Sequence, residues 1–283
     1  MRTALPKKRS DAASKASSYP FSTDLMRIRD KSLREGHFAR KQIFSRDWLI
    51  SWSHRSRFQT GLQLAQQFAG KRVLDYGCGD GSFLAMLMNS SGVPSAAVGV
   101  EISPDSVADC RARLGRVPGL SFILDQELDL PENNGAFDAV ICMEVLEHVI
   151  EVEPLIGRFA GLLAPGGKLL VSVPIETGPP LLVKQVVRRV AGWRGIGDYP
   201  GTSPYSLTEL TASILARGKR QHIERPIHTN PDGRRFHDHK GFNWMMLREL
   251  LARGFHLERT QTSPLPWLSP YLASQVWFLL QKK

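Results

Sequence analysis

Glu144-Val145-Leu146-Glu147-His148 puts two carboxylates and an imidazole within five residues, and Asp238-His239-Lys240 offers another imidazole further along. Such groups support two kinds of chemistry. An imidazole exchanges a proton near neutral pH, and a neighbouring carboxylate can orient it. The same groups can hold a divalent cation (Mg or Mn) where oxygen ligands dominate, while a pair of imidazoles admits softer metals. If residues 144–148 open a helix, positions i, i+3 and i+4 share a face and the three side chains converge. On that reading His148 is the first candidate for a base, followed by His239 and His237. Glu144 or Glu147 would orient His148 or take the proton directly. Acids in a first helical turn also complement the helix dipole without any metal.

A second constellation lies upstream. Residues 73–81 read Val-Leu-Asp-Tyr-Gly-Cys-Gly-Asp-Gly: an apolar run, the acid Asp75, then Gly77, Gly79 and Gly81 at alternate positions. This predicts a strand ending in a tight turn that opens a helix. Glycine accepts positive φ and lets a ligand approach the backbone, and the helix start offers unpaired N–H groups. A dinucleotide site needs G-x-G-x-x-G, but Ser82 stands at the last position.

The elements that must position these residues follow from hydrophobic pattern. Strands are expected at Arg72–Tyr76, Ala96–Val100 (ending at Glu101), Leu120–Leu124, Phe137–Cys142 and Lys168–Val173, with helices between them. Strand–helix alternation of this kind predicts a parallel sheet with crossover helices. Pro104 suits a first helical turn, and Pro165-Gly166-Gly167 is strong turn chemistry. A helix is expected at Leu181–Val190, another at Asn243–Arg253 before Gly254, and strands at Phe255–Thr262 and Ser274–Leu280. Residues 1–22 read as a disordered tail, 23–70 as an N-terminal helical segment, and 71–283 as the main α/β domain with an insertion over 175–240.

The glycine turn, Glu101, Phe137-Asp138-Ala139-Val140 and Leu163-Ala164-Pro165-Gly166-Gly167 together resemble the class I S-adenosylmethionine (SAM)-dependent methyltransferases over about residues 70–175. The resemblance implies a doubly wound, Rossmann-like α/β fold of seven strands, mostly parallel with the last strand antiparallel. It implies SAM as cofactor, with Asp75 near the methionine ammonium and Gly77, Gly79 and Gly81 under the cofactor. Glu101 would accept from both ribose hydroxyls, a task suited to a group with only acceptors, and Asp125 and Gln126 would border the adenine. E-x-x-E-H resembles the ubiquinone-biosynthesis O-methyltransferases and the small-RNA 3′-terminal 2′-O-methyltransferases, which hold a divalent cation with such a motif plus a further His; the resemblance implies a metal set of Glu144, Glu147, His148 and His239. The strings Gly241-Phe242, Gly254-Phe255 and Ser274-Gln275-Val276-Trp277-Phe278 resemble methyltransferases of bacterial polysaccharide and natural-product pathways.

Charge is unevenly spread: net +11 over residues 1–72, −9 over 73–174 and +8 over 175–283. An acidic cofactor half suits a sulfonium cation, and basic flanks attract an anionic acceptor, RNA or a membrane surface. The expectation is O-methylation of a small molecule or glycan, with Trp193, Tyr199, Tyr205, Phe236 and Trp244 as candidate pocket aromatics. RNA 2′-O-methylation is the second reading, and a non-catalytic SAM-binding protein the third. No apolar run of 18 residues occurs, and Cys78, Cys110 and Cys142 lack metal spacing, so a cytoplasmic, reducing setting is expected, with membrane contact at most peripheral.

Overall fold

The computed structural model describes residues 31–193, 203–216, 218 and 220–283. The expected tail over 1–22 and Tyr199 lie outside the described residues, as does the side chain of Trp193. Helix α1 (Lys31–Arg34) and a π-turn over Ala39–Ile43 lead into α2 (Trp48–Ala65). Alternation then begins: β1 (Arg72–Tyr76), α3 (Ser82–Met88), β2 (Ala96–Glu101), α4 (Pro104–Leu114) and β3 (Leu120–Leu124). It continues through β4 (Phe137–Met143), α5 (Val152–Leu162) and β5 (Leu163–Pro174). The insertion carries α6 (Pro179–Trp193), α7 (Leu207–Ile214) and a hairpin of β6 (Ile227–Thr229) and β7 (Arg235–His237). Last come α8 (Trp244–Gly254), β8 (Phe255–Ser263) and β9 (Gln275–Lys282).

Seven strands form one sheet in the order β3-β2-β1-β4-β5-β9-β8, and β9 is antiparallel to both neighbours. This is the expected fold class. Period-two side chains divide between two cores. Leu74, Val140 and Phe278 face α5 and α8, packing with Phe159 and Trp244. Val73, Ile141 and Trp277 face the other way, onto Phe83 and Leu84 of α3. Each such side chain, fully buried, contributes about 1.5–3 kcal/mol of transfer free energy.

Strand order reverses between β1 and β4. The chain leaving β1 turns into α3 on one face, and the chain leaving β4 runs toward α5 on the other. A crevice must open between them, at the carboxyl ends of the strands where open α/β sheets bind ligands. The glycine turn and E-x-x-E-H are the two lips of that crevice.

One expected element is corrected. Residues 144–148 form a turn rather than the start of a helix: His148 N–H reaches back only to the Val145 carbonyl, at 2.8 Å, and α5 begins at Val152. Glu144 has φ 56°, the left-handed region that breaks a right-handed helix at its first residue. The i, i+3, i+4 face therefore does not exist, and Glu144 parts company with Glu147 and His148.

Candidate active site

The turn after β1 takes its shape from Gly77, Gly79 and Gly81, at φ 72°, 58° and 73°. Gly77 and Cys78 both donate N–H to the Val100 carbonyl, at 2.9 and 3.0 Å. Glu101 Oε2 accepts from Gly79 N–H at 3.1 Å, and its Oε1 accepts from Ile102 N–H at 2.8 Å. The acid ending β2 thus braces the turn ending β1. Asp75 is buried beneath them, and burial, reinforced by the charge of Glu101, pushes its carboxyl up to about 8. The N-terminal segment covers this turn from outside. Ala39 N–H donates to Asp80 Oδ2 at 2.8 Å, and the Phe38 ring stands 3.1 Å from where a Cβ on Gly79 would lie.

Beyond β3, Asp125 and Gln126 open a 3-10 turn. Gln126 is exposed, but the Asp125 carboxylate is engaged by Arg158 Nη1 at 2.7 Å. What Asp125 offers a ligand is therefore an anchored group with part of its acceptor capacity used.

The other lip is built by the insertion. Arg225 Nη2 donates to the carbonyls of Glu147 and Asp238, tying the two strings together. His237 N–H donates to the His148 carbonyl at 2.9 Å, and His148 Nδ1 lies 2.8 Å from the His237 carbonyl. A carbonyl only accepts, so in the neutral ring Nδ1 carries the proton and Nε2 the lone pair. Nε2 lies 3.8 Å from Glu147 Oε1. His239 packs edge-on against His148 with ring centroids 4.9 Å apart. One ligand atom each from Glu147, His148 and His239 falls within 4.8 Å of the other two.

The electrostatics of this cluster are unusual. Glu147 is wholly buried, yet among the described residues neither carboxylate oxygen has a hydrogen-bond partner, and neither has His239 Nδ1. Burial, and then the charge of Glu144, hold the Glu147 carboxyl well above the usual range. Burial lowers His239 to about 4, so its imidazole is neutral at physiological pH. Buried polar atoms without partners are rare and call for an explanation.

The sequence-expected residues separate accordingly. Glu147, His148 and His239 come together; Glu144 does not join them. Asp238 accepts from Ser203 N–H at 2.6 Å and lies 3.2 Å from His228 Nε2, while Lys240 Nζ bonds the Pro204 carbonyl and Glu209. Both are structural neighbours of His239. The His237 ring bonds the Pro226 carbonyl and lines a 460 Å³ cleft with Arg225, Phe242 and Met246. Tyr205 and Trp244 are likewise engaged in packing: Tyr205 accepts from Gly241 N–H at 3.0 Å, and Trp244, at the start of α8, is buried against Tyr271 and Phe278. Sequence reasoning missed Arg57, whose Nη1 lies 3.3 Å from Glu144 Oε2, and Arg225. Neither sits in a motif, and only tertiary contact reveals them.

A family profile described as "Methyltransferase domain" matches residues 49–219, more than half of the 283-residue chain, and spans both lips of the crevice. The chain belongs to this methyltransferase family. Its sheet order and glycine turn are those of the class I, Rossmann-like methyltransferase fold. This methyltransferase is 40% identical over 111 residues to the "Ubiquinone biosynthesis O-methyltransferase" of Xanthomonas oryzae pv. oryzae, covering 37% of this chain and 43% of that protein. It thus spans less than half the length of the curated relatives it matches. The PH0226 protein of Pyrococcus horikoshii OT3 shares the fold at a TM-score of 0.53 and 18% identity, covering 89% of this chain and 99% of that one. An S-adenosylmethionine dependent methyltransferase from Mesorhizobium loti is similar at a TM-score of 0.48 and 17% identity, covering 79% and 96%. Among the described residues of this methyltransferase, no helix is long and apolar enough to cross a membrane.

Proposed function

We propose that this methyltransferase moves the methyl group of SAM onto an oxygen of a small-molecule or glycan acceptor bound against Glu147, His148 and His239. The observation that carries the reading is the orphaned, fully buried Glu147 carboxylate beside two imidazoles with available nitrogens. A partial relative named as an O-methyltransferase supports the choice of oxygen. In this reading Gly77, Gly79 and Gly81 carry the cofactor, Asp75 meets its ammonium and Glu101 its ribose, with Asp125 and Gln126 at the adenine end. In-line transfer from a sulfonium depends chiefly on alignment, and the two lips of the crevice supply it.

A divalent cation would be held by Glu147, His148 and His239, and when bound it would lower the pKa of an acceptor hydroxyl. One oxygen and two nitrogen donors suit Mn²⁺ or Zn²⁺ better than the Mg²⁺ expected from an oxygen-rich set. His148 contributes Nε2 in a fixed tautomer, and the unpartnered atoms fit the group. His239, neutral because buried, is better placed as a ligand than as a base.

Two experiments test this. Isotopically labelled SAM, small phenols, glycans and RNA are incubated with the protein before and after chelation, then after adding Mn²⁺ or Zn²⁺. Label is expected on a hydroxyl of a small acceptor, lost on chelation and restored by metal. Transfer to RNA ends alone, or turnover indifferent to chelation, overturns the corresponding part.

The second experiment reads pH. Asp75, raised to about 8, is protonated at pH 6, and an ammonium stabilises its ionised form, so cofactor binding releases a proton. Affinity for the demethylated cofactor should rise between pH 6 and 7.5, by up to about tenfold per unit. Calorimetry in two buffers of different ionisation heat reads both affinity and proton release. The sign for the free protein is opposite. With its folded pKa above the unfolded 3.8, Asp75 lowers stability progressively as pH climbs toward 8. Affinity flat across this range would remove Asp75 from the ammonium.

A further inference from the structure

Glu144 is held in the left-handed region by contacts from outside its own turn. Its N–H donates to the Ser172 carbonyl at 3.0 Å, and its Oε1 accepts from Ser172 Oγ at 3.2 Å. Its Oε2 faces Arg57 Nη1 at 3.3 Å. Arg57 belongs to α2, 87 residues earlier in the chain, and its Nη2 donates to Gln42 Oε1 at 3.0 Å. The guanidinium is thus clasped between the N-terminal segment and the E-x-x-E-H turn. Its side chain is only 14% exposed, so this pair is poorly screened by water. Arg57 also lies within electrostatic reach of Glu147, where its charge favours the carboxylate.

Resting on the cation reading above, we propose that Arg57 is a positioning residue that competes with the bound cation for Glu144. Docked as described, α2 keeps Glu144 turned toward Ser172 and Arg57, leaving three residues at the cluster. Freed from Arg57, Glu144 keeps the Ser172 Oγ contact on Oε1, has Oε2 released, and turns that oxygen to the cluster as the fourth ligand. Closure of the N-terminal segment over the crevice and tight cation binding are then opposed uses of one carboxylate. Reciprocity follows from linkage: whatever docking subtracts from cation affinity, the cation subtracts from docking.

Calorimetric titration of Mn²⁺ into the full chain, free of cofactor, tests the competition. Arg57→Gln should bind Mn²⁺ about tenfold more tightly than the natural sequence, within the usual range of coupling between sites. In a Glu144→Gln background the same substitution should gain nothing, because the contested carboxylate is gone. Equal affinity in the natural sequence and Arg57→Gln overturns the competition alone. A gain that persists with Glu144→Gln also overturns it, since Arg57 then acts only as a distant charge. No uptake by any variant rejects the cation site itself, and the competition with it. A measurement without substitutions guards against a misfolded variant: saturating Mn²⁺ should speed tryptic cleavage within residues 31–65 of the natural chain severalfold. An unchanged rate overturns the proposal.

Discussion

Glu147→Leu should make the metal-free protein more stable while abolishing cation uptake and lowering methyl transfer by at least about a hundredfold, more than changes in supporting residues produce. The two effects share one cause. Glu147 is wholly enclosed, and among the described residues neither of its oxygens finds a hydrogen-bond donor. A polar group left unsatisfied in the interior costs about 1–3 kcal/mol, and if ionised it costs more. Leucine fills similar space without that cost, so melting followed by circular dichroism in the presence of chelator should shift upward. Glu147→Gln is the control: it removes the charge but keeps two polar atoms that still lack partners, and should recover little stability. Isothermal titration with Mn²⁺ should show no binding by either variant. A destabilised Glu147→Leu variant, or one that still turns over, would show that the carboxylate serves packing instead.

How far this site could be read from sequence depended on whether its contacts were local. The strands were legible because apolar runs such as Leu120–Leu124 are bounded by turn residues, and the helix from Pro104 to Leu114 because a proline marks its first turn. The glycine turn was legible for the same reason. The helical condition placed on E-x-x-E-H is not met, because spacing of three and four is compatible with a helix but does not require one. What decides the matter is the positive φ of Glu144, and that is fixed by Ser172 on a neighbouring strand and Arg57 on α2. Nothing in residues 144–148 records either partner. Arg57 itself lies in a helix whose sequence carries no motif. Asp125 shows the opposite limit: its position after β3 was predictable, but its engagement by Arg158 was not.

Gly77→Ala should damage the cofactor site and the cation site together, which neither motif alone would suggest. Gly77 has φ 72°, and a Cβ there would stand 2.4 Å from Val145 Cγ2. Val145 lies between Glu144 and Leu146, inside the E-x-x-E-H string. A methyl group on the glycine turn must therefore push the other lip of the crevice, and the displacement passes directly to Glu147. The left-handed backbone costs about 1–2 kcal/mol for a non-glycine residue, and overpacking typically costs about 1–3 kcal/mol more. If binding requires the native arrangement, affinity for both the demethylated cofactor and Mn²⁺ should fall by roughly thirtyfold or more, at about 1.4 kcal/mol per tenfold. Gly81→Ala provides the comparison. Its Cβ would meet Leu114 and Phe122 at 2.8 Å, on the far side of the turn from Val145. That variant should lose stability and weaken cofactor binding, yet leave Mn²⁺ affinity within about twofold of the natural protein, as expected for sites without shared contacts. Equal loss of Mn²⁺ affinity in both variants would mean that general loosening, rather than the Gly77–Val145 contact, joins the two halves of the crevice.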